Sequence, residues 1–203
     1  MQVWGITALM GCGRKTATEY LSSLGYPVLD IEDLSRKLID RNTEQGREGF
    51  EKIYKLLGNS VLNSLGDLDR TKLIKRLITN PNDKLEIEKA IDPLVLKTVE
   101  KYRIEWMQKG IKLAFVHGNR LIEAGFPKAV RGMIRVSAAY DQRVKRVIKR
   151  DTMGKEEVEL MFRMQDQQTF IERNTQVNWK NEGAVSALKK QIDAWIESTL
   201  KAT

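Results

Sequence analysis

Two short stretches hold the residues whose types and spacing can do chemistry. The first is Gly5-Ile6-Thr7-Ala8-Leu9-Met10-Gly11-Cys12-Gly13-Arg14-Lys15-Thr16. It reads as an apolar strand, a tight glycine-containing loop and the start of a helix. Backbone N–H groups arranged in that order can curl around phosphate. Gly11 and Gly13 permit close backbone approach, Arg14 and Lys15 bring positive charge, and Thr16 brings a hydroxyl. Three positions depart from the G-x-x-x-x-G-K-[ST] pattern of such loops. Ala8 stands at the first glycine, Arg14 at the lysine and Lys15 at the hydroxyl. The second stretch is the acidic cluster Asp30-Ile31-Glu32-Asp33 at the end of a short apolar run. Carboxylates at a strand end can take up a proton from a substrate, or they can cap the helix that follows.

Composition narrows the remaining chemistry. The chain has 203 residues, 41% hydrophobic and 31% charged, enough to bury one ordinary core. A sole cysteine, Cys12, excludes an internal disulfide and a cysteine metal site, and a sole histidine, His117, excludes a multi-histidine one. No metal ligand is assigned. No apolar run reaches the ~18 residues of a membrane span. Leu9-Met10-Gly11-Cys12 has the spacing of a lipoprotein cleavage box. No Lys or Arg precedes it, and the apolar run is short and contains Gly5, so neither lipidation nor membrane attachment is expected. A reducing, cytoplasmic setting is expected. The net charge of +8 suits nucleotides, acidic coenzymes or nucleic acid without choosing among them. No base-stacking motif or helix-turn-helix signature supports nucleic acid.

The elements that must position these residues follow from periodicity. Residues 3–9 and 26–29 read as strands, with a helix over 16–24 stopped by Gly25. A helix over 34–39 follows the acidic cluster. Strand, loop, helix, strand is the order of a parallel sheet whose site lies at the strand C-termini. Residues 46–57, 70–78 (N-capped by Asp69), 85–90 and 93–108 read as helices, with a break at Asn80-Pro81-Asn82 and another at Asp92-Pro93. Strands return at 111–116, 132–136 and 176–179. Charged helices cover 143–149 and 155–165, and an amphipathic helix covers 183–200.

Taken in order, these segments resemble dephospho-coenzyme A kinases, a family of P-loop phosphotransferases whose loop typically reads T-G-G-I-G-S-G-K-S-T. The ungapped counterpart is Thr7 to Thr16, and the match runs on through Leu24-Gly25 to Asp30-Ile31-Glu32, where the family has D-A-D. Asn80-Pro81 and Asp92-Pro93 stand at its N-P and H-P. Asn119-Arg120-Leu121-Ile122-Glu123 stands at its P-L-L-φ-E, and Arg150-Asp151-Thr152 with Gln165 stands at its lid pattern. The resemblance implies an α/β, P-loop nucleoside-kinase-like three-layer fold with a central parallel sheet, a helical substrate-binding insertion and a helical lid. Over residues 1–203 it implies a core of about 1–40, 111–139 and 176–203, a coenzyme-binding insertion of about 41–110 and a lid of about 140–175. It implies transfer of the ATP γ-phosphate to the ribose 3′-hydroxyl of dephospho-coenzyme A, with ATP and Mg²⁺ as cofactors. Nucleotide contacts fall on Gly11, Cys12, Gly13, Arg14, Lys15 and Thr16. Catalytic roles fall on Glu32 as general base and on the cations Arg14 and Arg150. Substrate contacts fall on Asp30, Glu32, Asp92 and Glu123.

The departures bear on that chemistry. Ala8 is costly if its position needs positive φ. Arg14 keeps the charge of lysine in a larger, planar form. Lys15 cannot ligate Mg²⁺. A cation about 4 Å from the ion is repelled by roughly 8 kcal/mol at an effective dielectric of about 20. Either Lys15 points elsewhere, or the loop shifts by one residue so that Lys15-Thr16 serve as the lysine–hydroxyl pair. Asp92 either touches the coenzyme or caps a helix begun by Pro93, the reading favoured here. Arg143, Arg146, Lys149 and Arg150 form a basic face, either solvated or in contact with ATP phosphates. Ile171 occupies a position where the family's lid has a cation, with Arg173 nearby. His117 reads as structural, and Cys12 as a small residue that fits the loop. Two functions remain open: a kinase with impaired activity, or a non-catalytic relative binding a nucleotide, a coenzyme or a protein partner.

Overall fold

A computed structural model of the chain describes residues 1–164 and 168–201. Five strands form one sheet: β1 (Gln2–Ala8), β2 (Val28–Asp30), β3 (Leu113–His117), β4 (Gly132–Ser137) and β5 (Val177–Lys180), in the order β2-β3-β1-β4-β5. The pairings of β1 with β3, β1 with β4 and β4 with β5 are parallel. The helices are α1 (Arg14–Ser23), α2 (Ile31–Lys37), α3 (Arg47–Leu57), α4 (Arg70–Thr79), α5 (Pro81–Gln108), α6 (Tyr140–Asp151), α7 (Lys155–Met164), α8 (Gln168–Arg173) and α9 (Val185–Lys201). The chain divides into a sheet unit, 1–29 with 106–203, and a helical unit, 30–105. Among the described residues no helix is long and apolar enough to cross a membrane.

In the sheet unit, alternation sets the core. Ile6, Ala8, Leu113, Phe115, Ile134, Val136 and Trp179 pack with Ala17 and Leu21 of α1 and with Leu188, Ile192 and Ile196 of α9. The register Ile6↔Ile134 and Ala8↔Val136 puts them on one sheet face, as the two-residue strand period requires. Helices α1 and α9 are clamped together over that face, because the Tyr20 hydroxyl donates to the Asp193 carboxylate at 2.8 Å. The direction of α1, and so of its N-terminus, is thereby fixed against the sheet. On the opposite face a Cβ at Gly5 would meet the Met133 sulfur at 2.3 Å.

In the helical unit, Asp69 caps α4 as expected, accepting from the Thr71 and Lys72 amides. The expected break at Asp92-Pro93 is absent. One helix of 28 residues, α5, runs through Pro93. Asp92 therefore lies inside a helix and does not cap one. Pro93 removes one backbone N–H and its ring crowds the carbonyl four residues back, a local cost of about 3 kcal/mol. The apolar stripe Ile87, Ile91, Leu94, Val95 and Val99 is buried on both sides of the proline and holds the helix together across it. The charged segment expected over 155–165 is α7, and Gln165 lies outside the described residues. The short helix α8 was not expected from periodicity.

Replacing Pro93 by Ala restores the missing N–H without touching the buried stripe. The expected outcome is a stability gain of about 2 kcal/mol, the helix term less the unfolded-state entropy that proline removes. A rise in urea midpoint at unchanged m-value checks it. An unchanged or lower midpoint would mean that packing in the helical unit requires the proline bend.

Candidate active site

The loop between β1 and α1 has to reverse the chain within five residues. Ala8 still belongs to β1, and Thr152 is the only described non-glycine residue with positive φ, so alanine here carries no backbone penalty. Gly11 and Gly13 do need positive φ, at 79° and 96°. Added Cβ atoms would lie 2.7 Å from the Arg143 carbonyl oxygen and 2.2 Å from Asn181 Nδ2 respectively. Both glycines are thus fixed by conformation and by neighbours at once. The Cys12 amide donates back to the Leu9 carbonyl at 3.2 Å, which closes the turn.

Helix α1 opens directly after Gly13. Its first intrahelical bond runs from the Ala17 amide to the Gly13 carbonyl at 3.2 Å. The amides of Arg14, Lys15 and Thr16 therefore have no helical acceptor behind them. The first turn holds no acidic residue. Two cations at the positive end of a helix dipole are each unfavourable by about 0.3–1 kcal/mol at the surface unless an anion joins them.

The two cations diverge. Arg14 Nη1 donates to Asn119 Oδ1 at 3.0 Å, drawing the guanidinium towards the segment that follows β3. Lys15 leaves the loop: its side chain is 87% exposed, and its Nζ stands 3.7 Å from Glu19 one turn along α1. Such a pair is worth a few tenths of a kcal/mol and yields readily to a better partner. Gly13 is the cap of α1 and Arg14 its first residue.

The backs of the loop peptides are held by three side chains. Arg143 Nε donates to the Met10 carbonyl at 2.9 Å, Arg146 Nη1 to the Gly11 carbonyl at 3.3 Å, and Asn181 Nδ2 to the Cys12 carbonyl at 2.9 Å. Arg146 Nη2 also donates to the Asn181 carbonyl at 2.8 Å, joining two of the three. Arg143 is buried, and its guanidinium lies 4.4 Å over the Phe162 ring of α7. Of the basic face expected on α6, Arg143 and Arg146 thus turn to the loop backbone. Arg150 is paired with Asp151 through two bonds of 2.6 Å. Burial pushes the Cys12 thiol above its ordinary pKa, and the positive field of Arg143 offsets only part of that shift.

The acidic cluster divides its tasks. Asp30 is the cap of α2, accepting from the Glu32 amide at 2.8 Å and the Asp33 amide at 3.1 Å. Asp33 pairs with Arg36. Glu32 lies in the first turn of α2, half-buried. Glu123 is exposed in the turns after β3, where Leu121 and Ile122 are buried. Ile171 is buried, as its apolar character predicts. Asn181 was missed from sequence. Arg143 carried a legible signal, standing four residues before Val147 on the apolar side of α6.

Comparison with known proteins supplies the remaining findings. The dephospho-CoA kinase family model matches residues 2–186. The chain is 30% identical over 174 residues to a dephospho-CoA kinase of Dehalococcoides mccartyi, covering 85% of this chain and 84% of the relative. It superposes on a crystal structure of a Thermus thermophilus protein with a TM-score of 0.78, at 25% identity and 97% coverage of both chains. With the dephospho-CoA kinase of Campylobacter jejuni the TM-score is 0.70 at 20% identity, covering 98% of both chains. The fold is that of the P-loop kinases.

Gly13→Ala tests the loop against a matched control. Gly110 has a φ of 72° with nothing within 4 Å of an added Cβ, so Gly110→Ala reports backbone strain alone. Gly13→Ala is expected to cost about 1–3 kcal/mol more than Gly110→Ala in denaturant melts, because Asn181 must also move. Equal costs would mean that Asn181 does not hold the loop.

Proposed function

The chain belongs to the dephospho-CoA kinase family, and on that premise we propose that it transfers the ATP γ-phosphate to the ribose 3′-hydroxyl of dephospho-coenzyme A. The observation that carries the reading is the loop itself. Two positive-φ glycines lead into a helix whose first intrahelical bond is made by Ala17, so that its opening amides precede the helical ladder, with cationic side chains beside them. Triphosphate is the anion that such a cradle is shaped to take. In this reading the 3′-oxygen attacks the γ-phosphorus, the bond to the β–γ bridging oxygen breaks, and ADP leaves. Glu32 takes the hydroxyl proton, and Asp30, by capping α2, holds the backbone that carries Glu32. Arg14 steadies charge on the transferred group. Arg150 joins the phosphates only by exchanging Asp151 for them. The helical unit is the coenzyme-binding part, with Asp92 as a candidate contact, and Glu123 of the sheet unit is a further candidate.

Family membership brings ATP and Mg²⁺ with it at the level of the family. The residue at the metal-ligand position does not fit the ion. Lys15 offers an ammonium, which has no lone pair to give, and its side chain is turned out to Glu19. That same observation favours the second reading, a relative that binds nucleotide without turning it over.

Two linked measurements separate the readings. Calorimetric titration with ATP is expected to show binding that Mg²⁺ changes by less than about threefold, since amides and Arg14 do the holding. In a dephospho-coenzyme A phosphorylation assay, Glu32→Ala is expected to abolish turnover and leave ATP affinity intact. Arg14→Lys combined with Lys15→Ser is expected to raise turnover by about 10²-fold. ATP binding with no product from either the native chain or the double variant would reject the kinase reading in favour of the non-catalytic one.

A further inference from the structure

We propose that Arg143 is a positioning residue for phosphate binding: through its Nε–H it holds the Met10 peptide turned outward, and through its stacking on Phe162 it ties the shape of the loop to helices α6 and α7. The inference rests on reading this loop as a phosphate site.

A loop can present its N–H groups to an anion only if its carbonyl oxygens face elsewhere and find donors there. Here three consecutive carbonyls, Met10, Gly11 and Cys12, each accept from a different side chain. Arg143 takes the first. Its guanidinium is poorly placed to touch phosphate directly, since it is buried with its face against Phe162. Burying a guanidinium is costly without compensation. The carbonyl bond and the aromatic face supply that compensation, and both are directed interactions that fix where the side chain lies.

Met10 is anchored a second time. Its side chain packs against the small core of Val144, Val147, Val158 and Phe162. Backbone and side chain of one loop residue are therefore both held by α6 and α7. The Arg143 backbone completes the arrangement, because its carbonyl oxygen would lie only 2.7 Å from a Cβ on Gly11. A movement of α6 relative to β1 is transmitted to the loop through these contacts.

The test uses the geometry of the donor. Gln places its Nε2 the same number of bonds from Cα as Arg places Nε. Arg143→Gln thus keeps a donor for the Met10 carbonyl and loses the charge, whereas Arg143→Met loses both. Two readouts are taken at matched melting temperature: affinity for ATP and for inorganic tripolyphosphate, and the alkylation rate of Cys12, the only cysteine in the chain. Both variants lose the Arg143 field on the thiol equally, so the comparison between them isolates the hydrogen bond.

Arg143→Met is expected to bind both ligands about tenfold more weakly than Arg143→Gln, and its Cys12 to react about tenfold faster. Should Arg143→Met fail to fold, Phe162→Leu removes the stacking surface while keeping an apolar side chain in the core that Met10 packs against, and is expected to speed Cys12 alkylation about threefold. Equal behaviour of Gln and Met in both readouts would overturn the proposal, leaving charge rather than loop geometry as the contribution of Arg143. So would Cys12 kinetics that neither Met nor Leu changes. If the native chain binds neither ATP nor tripolyphosphate, the phosphate-site reading fails, and Cys12 reactivity still decides whether Arg143 holds the loop.

Discussion

The structure depends on one constraint: between β1 and α1 two glycines must lie flush against other parts of the chain. Gly11 faces the Arg143 backbone and Gly13 faces the Asn181 side chain, each at a distance that admits no Cβ. Positive φ at both positions turns the intervening peptides, and the carbonyls of Met10, Gly11 and Cys12 come to face Arg143, Arg146 and Asn181. Buried backbone oxygens need such donors, so the loop shape and the side chains behind it specify one another. Asn181 is itself fixed to the sheet by its amide bond to the Ser137 carbonyl at 2.7 Å. The order of β4 next to β1 and β5 beyond it is what brings these donors to the loop.

Electrostatics then gives the loop a preference for anions. An isolated helix that begins Arg14-Lys15 without an acidic residue works against its own dipole. The mismatch is relieved locally by Asn119 for Arg14 and by Glu19 for Lys15, both of them exposed, low-energy arrangements. An incoming polyphosphate would satisfy the amides, the dipole and Arg14 together.

Much of this was legible in the sequence because local chemistry and the final fold agree. Apolar runs marked β1, β3 and β4, glycine marked the loop, and Asp69 marked the start of α4. Pro93 was misread because proline is a strong local signal, yet five buried residues of one stripe outweigh it. That error carried Asp92 with it. The acidic cluster allowed capping and catalysis equally, because its three carboxylates stand at adjacent helix-start positions, and only the fold of the turn gives the cap to Asp30. Asn181 gave no local signal, since its task is set by a residue 169 positions away. Arg143 and Arg146 read as part of one basic face, solvated or turned to phosphate, because charge dominates composition. The spacing to Val147 was the quieter evidence that Arg143 turns inward.

The residues that give the loop its shape are not the ones that depart from the usual phosphate-loop pattern. Shape rests on Gly11, Gly13, Arg143, Arg146 and Asn181. The departures are Ala8, Arg14 and Lys15. Ala8 sits at the end of a strand in ordinary conformation, and Arg14 and Lys15 lie on the first turn of α1. Shape and metal chemistry are therefore separable in this chain. Backbone amides can grip phosphate by geometry alone, because a peptide N–H donates whatever side chain it carries. Handling a metal needs a lone pair, which the Lys15 ammonium does not offer. In the proposed reading the glycines and amides grip the polyphosphate, and placing a metal beside it falls to groups other than Lys15.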